Sequence, residues 1–392
     1  MKQQIPVLPF ELLRPILAHI AHNPSLCAAS LSSKALQAEA QCILFRDPCI
    51  QVPDQSTAYR HLRLLESIIE SPTRLAKLVI RYTQSSIWTG SSSYHRGSED
   101  EQNAAIEEKT PIALRLMVNL KHLTYRQSGG TPSAHMLQGC QFKLKTLDWG
   151  CHSDEVAMFR DVLPTQPHLV YLSLDEVDTA VLKEDPTLWE SIKGLLPQLV
   201  SLMGSRETLE AILPGRLGRP IECIHWIPND FDSREASVDH MSRELGHVRY
   251  MFIGGYFARP DLSLLISHLC SLELLDVVNC RQEVRHQSIS HLFKQVKFNK
   301  KELQLLGQLP KLRHLILTSW MDKTSREADA CLSLATVAFN SCRHLQQIDV
   351  KHTRDHYIRY DCTASPFGSR VWKISAEDVG SWRNKTMLVR NT

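Results

Sequence analysis

The chain has 392 residues, a hydrophobic share of 43%, a charged share of 22% and a formal net charge of +3. That composition supplies enough apolar material for a large core or a long repeat array and is not that of a disordered chain. Lysines and arginines are dispersed with no basic run, so a binder driven by phosphate contacts is excluded, as is a membrane protein, because no apolar run reaches spanning length. The 11 cysteines are odd in number and form no C-x-x-C pair, which predicts free thiols in a reducing compartment. Pro6, Pro9, Glu11 and Arg14 interrupt the N-terminus, so no signal peptide is expected and a cytoplasmic or nuclear location is.

Residues 8–46 read as three short helices. Pro9 suits a first helical position. Behind it Leu12, Ile16 and Ile20 form one ridge and Leu13 and Leu17 another, with Pro15 expected to kink or shorten the helix. Asn23-Pro24 breaks the chain before a helix carrying Leu26 and Leu31, and a third follows through Leu36, Ala40, Ile43 and Leu44. So small a trio cannot bury enough surface alone, and it must lean on the following chain, on a partner, or on both.

The pattern Leu8-Pro9, Glu11-Leu12-Leu13, Ile16-Leu17, Leu26, Leu31, Ser33-Lys34 and Leu44-Phe45 resembles an F-box, the module that docks a substrate receptor onto the Skp-family adaptor of a cullin-RING ubiquitin ligase. Many F-boxes carry a Trp after the Ser-Lys pair where this chain has Ala35-Leu36. The resemblance implies adaptor binding by Leu8, Pro9, Leu12, Leu13, Ile16, Leu17, Leu26 and Leu31. The competing reading is an amphipathic helical cap on the fold that follows.

After a helix over 57–71, the pattern apolar-x-x-apolar-x-apolar recurs ten times, once ending in Gly204, starting at Leu75, Leu120, Leu144, Leu169, Leu199, Ile221, Val248, Leu272, Leu312 and Leu345. Most starts are about 22–27 residues apart, the period of leucine-rich repeats, in which one short strand and a returning helix or loop make one coil. Helical spacing precedes several of the strands, as at Ile112–Leu120, Leu262–Leu269 and Ala330–Phe339. The expected fold is α/β: an N-terminal three-helix F-box over 1–50, then an irregular leucine-rich-repeat solenoid over 51–353 with parallel strands on a concave face and helices on a convex face. A compact α/β domain with a conventional parallel sheet shares the alternation, but it predicts longer aliphatic runs. Residues 84–104, Ser/Gly-rich and then acidic, read as a flexible insert, and 281–301 as a polar one. Residues 354–392 read as a capping hairpin, through Tyr357–Tyr360 and Arg370–Ile374, and a tail.

No phosphate-binding, zinc-hydrolase or nucleophile-elbow motif is present in the sequence. The His352/His356 pair follows a strand with no third ligand at metal spacing. No catalytic residue, metal or cofactor is therefore expected. Side chains between the core positions would line the concave face. Its early part is basic, with Lys77, Arg81, His122 and Arg126, and its later part carries Tyr171, His225, Tyr250, Phe252 and Ile316, the expected contacts for a protein substrate.

An F-box followed by such repeats is similar to the substrate receptors of SCF ubiquitin ligases, fungal members above all. The resemblance implies a non-enzymatic subunit whose partners are a Skp-family adaptor, cullin-RING subunits and an unidentified protein substrate, with no nucleic acid and no membrane. The alternative is a leucine-rich-repeat interaction scaffold without a ligase role.

Overall fold

Two apolar side chains two residues apart on a strand point the same way, so stacking such strands in register builds two continuous apolar ladders. The computed structural model shows this arrangement; it describes residues 9–20, 22–48, 55–85, 97–126, 134–150, 155–174, 177–214, 218–228, 237–254, 260–279, 300–319, 328–353, 355–362 and 370–379. The chain divides into two units, Met1–Gln166 and Pro167–Thr392.

The first unit carries helices α1 (Leu13–Ala18), α2 (Asn23–Ser32), α3 (Lys34–Leu44), α4 (Gln55–Glu70) and α5 (Gly97–Leu116), and strands β1 (Arg81–Ser85), β2 (His122–Arg126) and β3 (Thr146–Gly150). The strands run parallel in chain order, with Tyr82, Leu123 and Leu147 in one rung and Gln84, Tyr125 and Trp149 in the next. The first repeat differs from the sequence reading. Leu75 is buried as expected, but the core positions that follow it are Val79, Tyr82 and Gln84, while Leu78 and Ile80 are half-buried. Gln84 stands at a core position because its amide oxygen accepts from the Tyr82 hydroxyl (2.7 Å) and from Thr110 Oγ1 of α5 (2.9 Å), while Tyr82 also meets His61 Nε2 of α4 (2.6 Å). Burial holds the His61 imidazole neutral, its pKa lowered to about 4. Helix α5 starts at Gly97, so 97–104 are helical rather than part of a flexible insert; 86–96 lie outside the described residues.

The second unit stacks β4 (Tyr171–Leu174), β5 (Ser201–Gly204), β6 (Cys223–Trp226), β7 (Tyr250–Ile253), β8 (Leu274–Asn279), β9 (His314–Ser319) and β10 (Gln347–Lys351) in parallel. Their shared rung, Leu172, Leu202, Ile224, Met251, Leu275, Leu315 and Ile348, is 0% exposed throughout. This is a leucine-rich-repeat architecture: short parallel strands one coil apart, with helices or 3-10 turns packed on the ladder face. Spacing is tight where the ladder closes. Gly254 has φ +132°, and a Cβ there would lie 2.2 Å from the carbonyl oxygen of Val278, so only glycine fits. Arg219 is buried and donates to the carbonyls of Ile192, Leu195 and Ile212 at the ends of helices Pro186–Ile192 and Arg206–Ile212. A cation is favoured at such C-terminal ends.

The C-terminal hairpin forms as β11 (His356–Asp361) and β12 (Arg370–Ser375), antiparallel to each other, with β11 antiparallel to β10. Beyond β12 the chain turns back: Ser375 Oγ accepts from Asp378 N (3.0 Å), Ala376 N bonds Asp355 O (2.9 Å), and Val379 is buried.

Candidate functional site

The N-terminal helices divide their apolar residues between an inside and an outside. A 3-10 turn over Phe10–Leu12 precedes α1, so Pro15 falls in the first turn of the α-helix, where a missing N–H leaves no bond unmade. The expected kink is not needed. Pro24 sits at the start of α2, and extended Ser33 caps α3 by accepting from Leu36 N (3.2 Å). Leu17, Leu26 and Ala40 form the core, with Ile20, Ala29, Leu36, Ile43 and Leu44 packed against it. Arg14 Nε donates to Glu39 Oε2 at 2.5 Å and ties α1 to α3. The hydrogen bond that Arg14 donates to Glu39 keeps the guanidinium pKa above its ordinary value.

What remains outside is large and apolar: Phe10 is 55% exposed, Leu12 47%, Ile16 47% and Leu31 86%. Pro9 is exposed as well and Leu13 is half-buried. Two of the expected adaptor-contact residues are corrected, since Leu17 and Leu26 are buried in the trio's own core and serve to hold it together. Leu8 lies outside the described residues. Phe10 precedes the α-helical register and so stands outside the two apolar ridges; in the sequence only its size next to Pro9 marks it.

The expected substrate face comes out differently. In the second unit, Tyr171, His225, Tyr250, Phe252 and Ile316 alternate with the ladder residues along their strands, as the register predicted. They are nonetheless covered. Tyr171, His225, Phe252 and Ile316 are buried, and Tyr250 is half-buried. Tyr357 and Val379 pack on Leu274 and Ile316, with Tyr250, Ile374 and Ala376 against them, and the Tyr357 hydroxyl meets Thr318 Oγ1 at 2.8 Å. Phe252 packs with Val278 and Ile227, and its ring centroid lies 5.8 Å from that of His225. The expectation of an exposed aromatic patch is therefore corrected, because the chain's own C-terminal turn covers Leu274 and Ile316.

Next to that apolar cover lies a buried ion cluster. Asp349 is 0% exposed and accepts two bonds from Arg359 (2.7 Å each) and one from His314 Nε2 (2.9 Å). Burial alone would raise the carboxyl's pKa, but the hydrogen bonds from Arg359 and His314 outweigh it and hold the group below its ordinary value. The cluster joins β9, β10 and β11 and binds the cap to the repeats.

Among the described residues, no group of three or more His, Cys, Asp or Glu side chains is placed to hold a metal ion. His352 and His356 face each other across the turn between β10 and β11, where His352 N bonds His356 O at 3.1 Å. The eight described cysteines are free thiols. No described helix is long and apolar enough to cross a membrane.

No family model matches the sequence, and no curated protein matches it. Among solved structures, the chain is similar to TLR13 in a TLR13–ssRNA13 complex at 16% identity and a TM-score of 0.32, covering 61% of this chain and 33% of that one. It is also similar to an internalin, inlF, from Listeria monocytogenes str. 4b F2365 at 13% identity and a TM-score of 0.24, covering 75% of this chain and 95% of that one. The chain thus spans about a third of the length of the TLR13 chain it matches. With similarity this low, the assignment of the fold to leucine-rich repeats rests on the strand register and the buried ladders themselves.

Proposed function

We propose that the chain is a non-catalytic substrate receptor of an SCF-type cullin-RING ubiquitin ligase, docking a Skp-family adaptor through Pro9, Phe10, Leu12, Ile16 and Leu31. The observation that carries this reading is that Phe10, Leu12, Ile16 and Leu31 stay exposed on a helical trio whose sequence resembles an F-box. Large apolar side chains left in water are costly, and covering each contributes roughly 1–2 kcal/mol to a partner's binding. The repeats would then hold a substrate while the other subunits bring a charged ubiquitin-conjugating enzyme to it, so the contribution is proximity rather than chemistry. Free thiols at the described cysteines fit the reducing cytoplasm or nucleus in which such a ligase works.

The test is affinity capture of the chain with and without Leu12→Asp plus Ile16→Asp. Both positions are exposed, so the variant folds, and far-UV circular dichroism checks that it does. Loss of a Skp-family adaptor and a cullin from the captured material is expected. Their undiminished recovery with the variant overturns the reading, and an adaptor captured from wild type without any cullin points instead to a scaffold with no ligase role.

A further inference from the structure

The rows of side chains that face away from the apolar ladder are mostly buried in the second unit, with Met203, Tyr250, His314 and Gln347 half-buried, but stay partly open throughout the first. On β1–β3 these positions form a grid in register: Arg81, His122 and Thr146, then Thr83, Thr124 and Asp148, then Ser85 and Arg126 beside Gly150. Every side chain in the grid is half-buried or exposed, whereas the equivalent Ser173, His225, Phe252, Ile316 and Asp349 of the second unit are buried. The grid is polar, lined by hydroxyls and cations, with His122 Nδ1 and Thr146 Oγ1 3.0 Å apart.

Its charge is lopsided. Arg126 is paired with Asp148 and Arg81 with Asp47, at 3.0 and 3.2 Å, and both arginine side chains remain 41% exposed. Lys121 and Lys145 stand at the starts of the adjacent strands, where Lys145 N bonds Lys121 O at 2.7 Å, and neither has an acidic partner among the described residues. The cations converge: the His122 pKa is lowered to about 4 by burial and by the charges of Arg81, Lys145 and Lys121. The imidazole is therefore neutral at physiological pH, a hydrogen-bonding group set in a positive field.

We propose that this face of β1–β3 binds an acidic, extended protein segment, its carboxylates meeting Arg81, Lys121 and Lys145 and its backbone meeting the Thr83, Thr124 and Thr146 hydroxyls. Charge complementarity selects the occupant, since an anionic chain crossing the strands meets a cation on each of them. A nucleic acid fits less well. The aromatic residues of these strands, Tyr125 and Trp149, are buried on the opposite side and stacked on each other at 4.8 Å, so the face offers no base-stacking platform. The inference rests on the receptor reading only in calling the bound segment a substrate.

The experiment is fluorescence anisotropy of the purified full chain with a labelled Glu/Gly copolymer peptide, with single-stranded oligo-dT as the competing probe. Peptide binding that weakens with added salt is expected. Lys121→Glu plus Lys145→Glu should lower affinity at least about tenfold, Lys121→Gln plus Lys145→Gln by a few-fold, and the distant Lys311→Glu not at all. Should the double reversal fail to fold, the neutral pair decides. Absence of peptide binding to wild type, affinity unchanged by the lysine variants, or displacement of the peptide by oligo-dT at lower concentration each overturns the proposal. The assay contains no adaptor, so its failure and the failure of adaptor docking are read separately.

Discussion

The carbonyl of Arg46, just past α3, accepts hydrogen bonds from the backbone N–H groups of Ile80 (2.9 Å) and of Arg81 (3.0 Å). Later coils repeat the same double bond: Lys121 and His122 donate to Ile80 O, and Lys145 and Thr146 to Lys121 O; in the second unit Glu222 and Cys223 donate to Val200 O, and Arg249 and Tyr250 to Glu222 O. Arg46 thus stands where the strand start of a preceding repeat would stand. The helical trio is joined to the sheet as a coil of the stack, with Arg81 also pairing to Asp47.

Ile80→Pro removes one of the two donors to Arg46 and is expected to cost about 2 kcal/mol or more. Denaturant unfolding measures the loss, and faster hydrogen exchange at the Arg81 amide localises it. Ile80→Val keeps the N–H, and its midpoint should stay within about 1 kcal/mol of wild type.

Acid should destabilise the first unit through His61. The folded protein keeps this imidazole neutral down to about pH 4, whereas the unfolded chain takes up the proton at an ordinary pKa of about 6.5. The contribution is therefore fully present above the unfolded pKa and lost as pH falls through the window between the two, by about 3 kcal/mol at pH 4. His122 acts in the same direction. Denaturation at pH 7 and pH 4.5 should show a smaller acid loss in His61→Phe than in wild type, by about 2 kcal/mol, and equal losses would refute this account.

Arg219 satisfies three carbonyls at once, those of Ile192, Leu195 and Ile212. Burial lowers its pKa to about 10, so it stays charged at neutral pH. Arg219→Met leaves all three acceptors without this donor, and a loss of about 3 kcal/mol is expected. Arg219→Lys should recover only part of it, because an ammonium on a single stem does not reproduce the fork of a guanidinium. Thermal unfolding, with protease cleavage mapped near residues 192–212, reads both effects.

The repeats were legible in the sequence because their signature is local. From the triplet at Leu120 to that at Leu345, the first residue lies just before a strand and the second and third fall on it in the expected register. The first coil was misplaced because a glutamine occupies a core position, and only the fold brings Thr110 and Tyr82 to Gln84. The start of α5 was hidden by a Ser/Gly-rich and acidic composition that suits a loop equally well. At the N-terminus, the sequence gives the helices and the apolar rows but not the division between inside and outside. That division depends on Glu39 and Ala40 of α3 lying against Arg14 and Leu17 of α1. The burial of Ile316 was beyond local patterns altogether, since its covering residues Tyr357 and Val379 lie 41 and 63 positions further along the chain.

The return of the chain after β12 also constrains how the protein can be shortened. A truncation ending before Tyr357 would remove Tyr357, Ile374, Ala376 and Val379 from Leu274 and Ile316 and leave a bare greasy stripe along β8 and β9, the kind of surface on which molecules clump. Expression trials that trim the carboxyl end for convenience would then report on that injury instead of on the native protein.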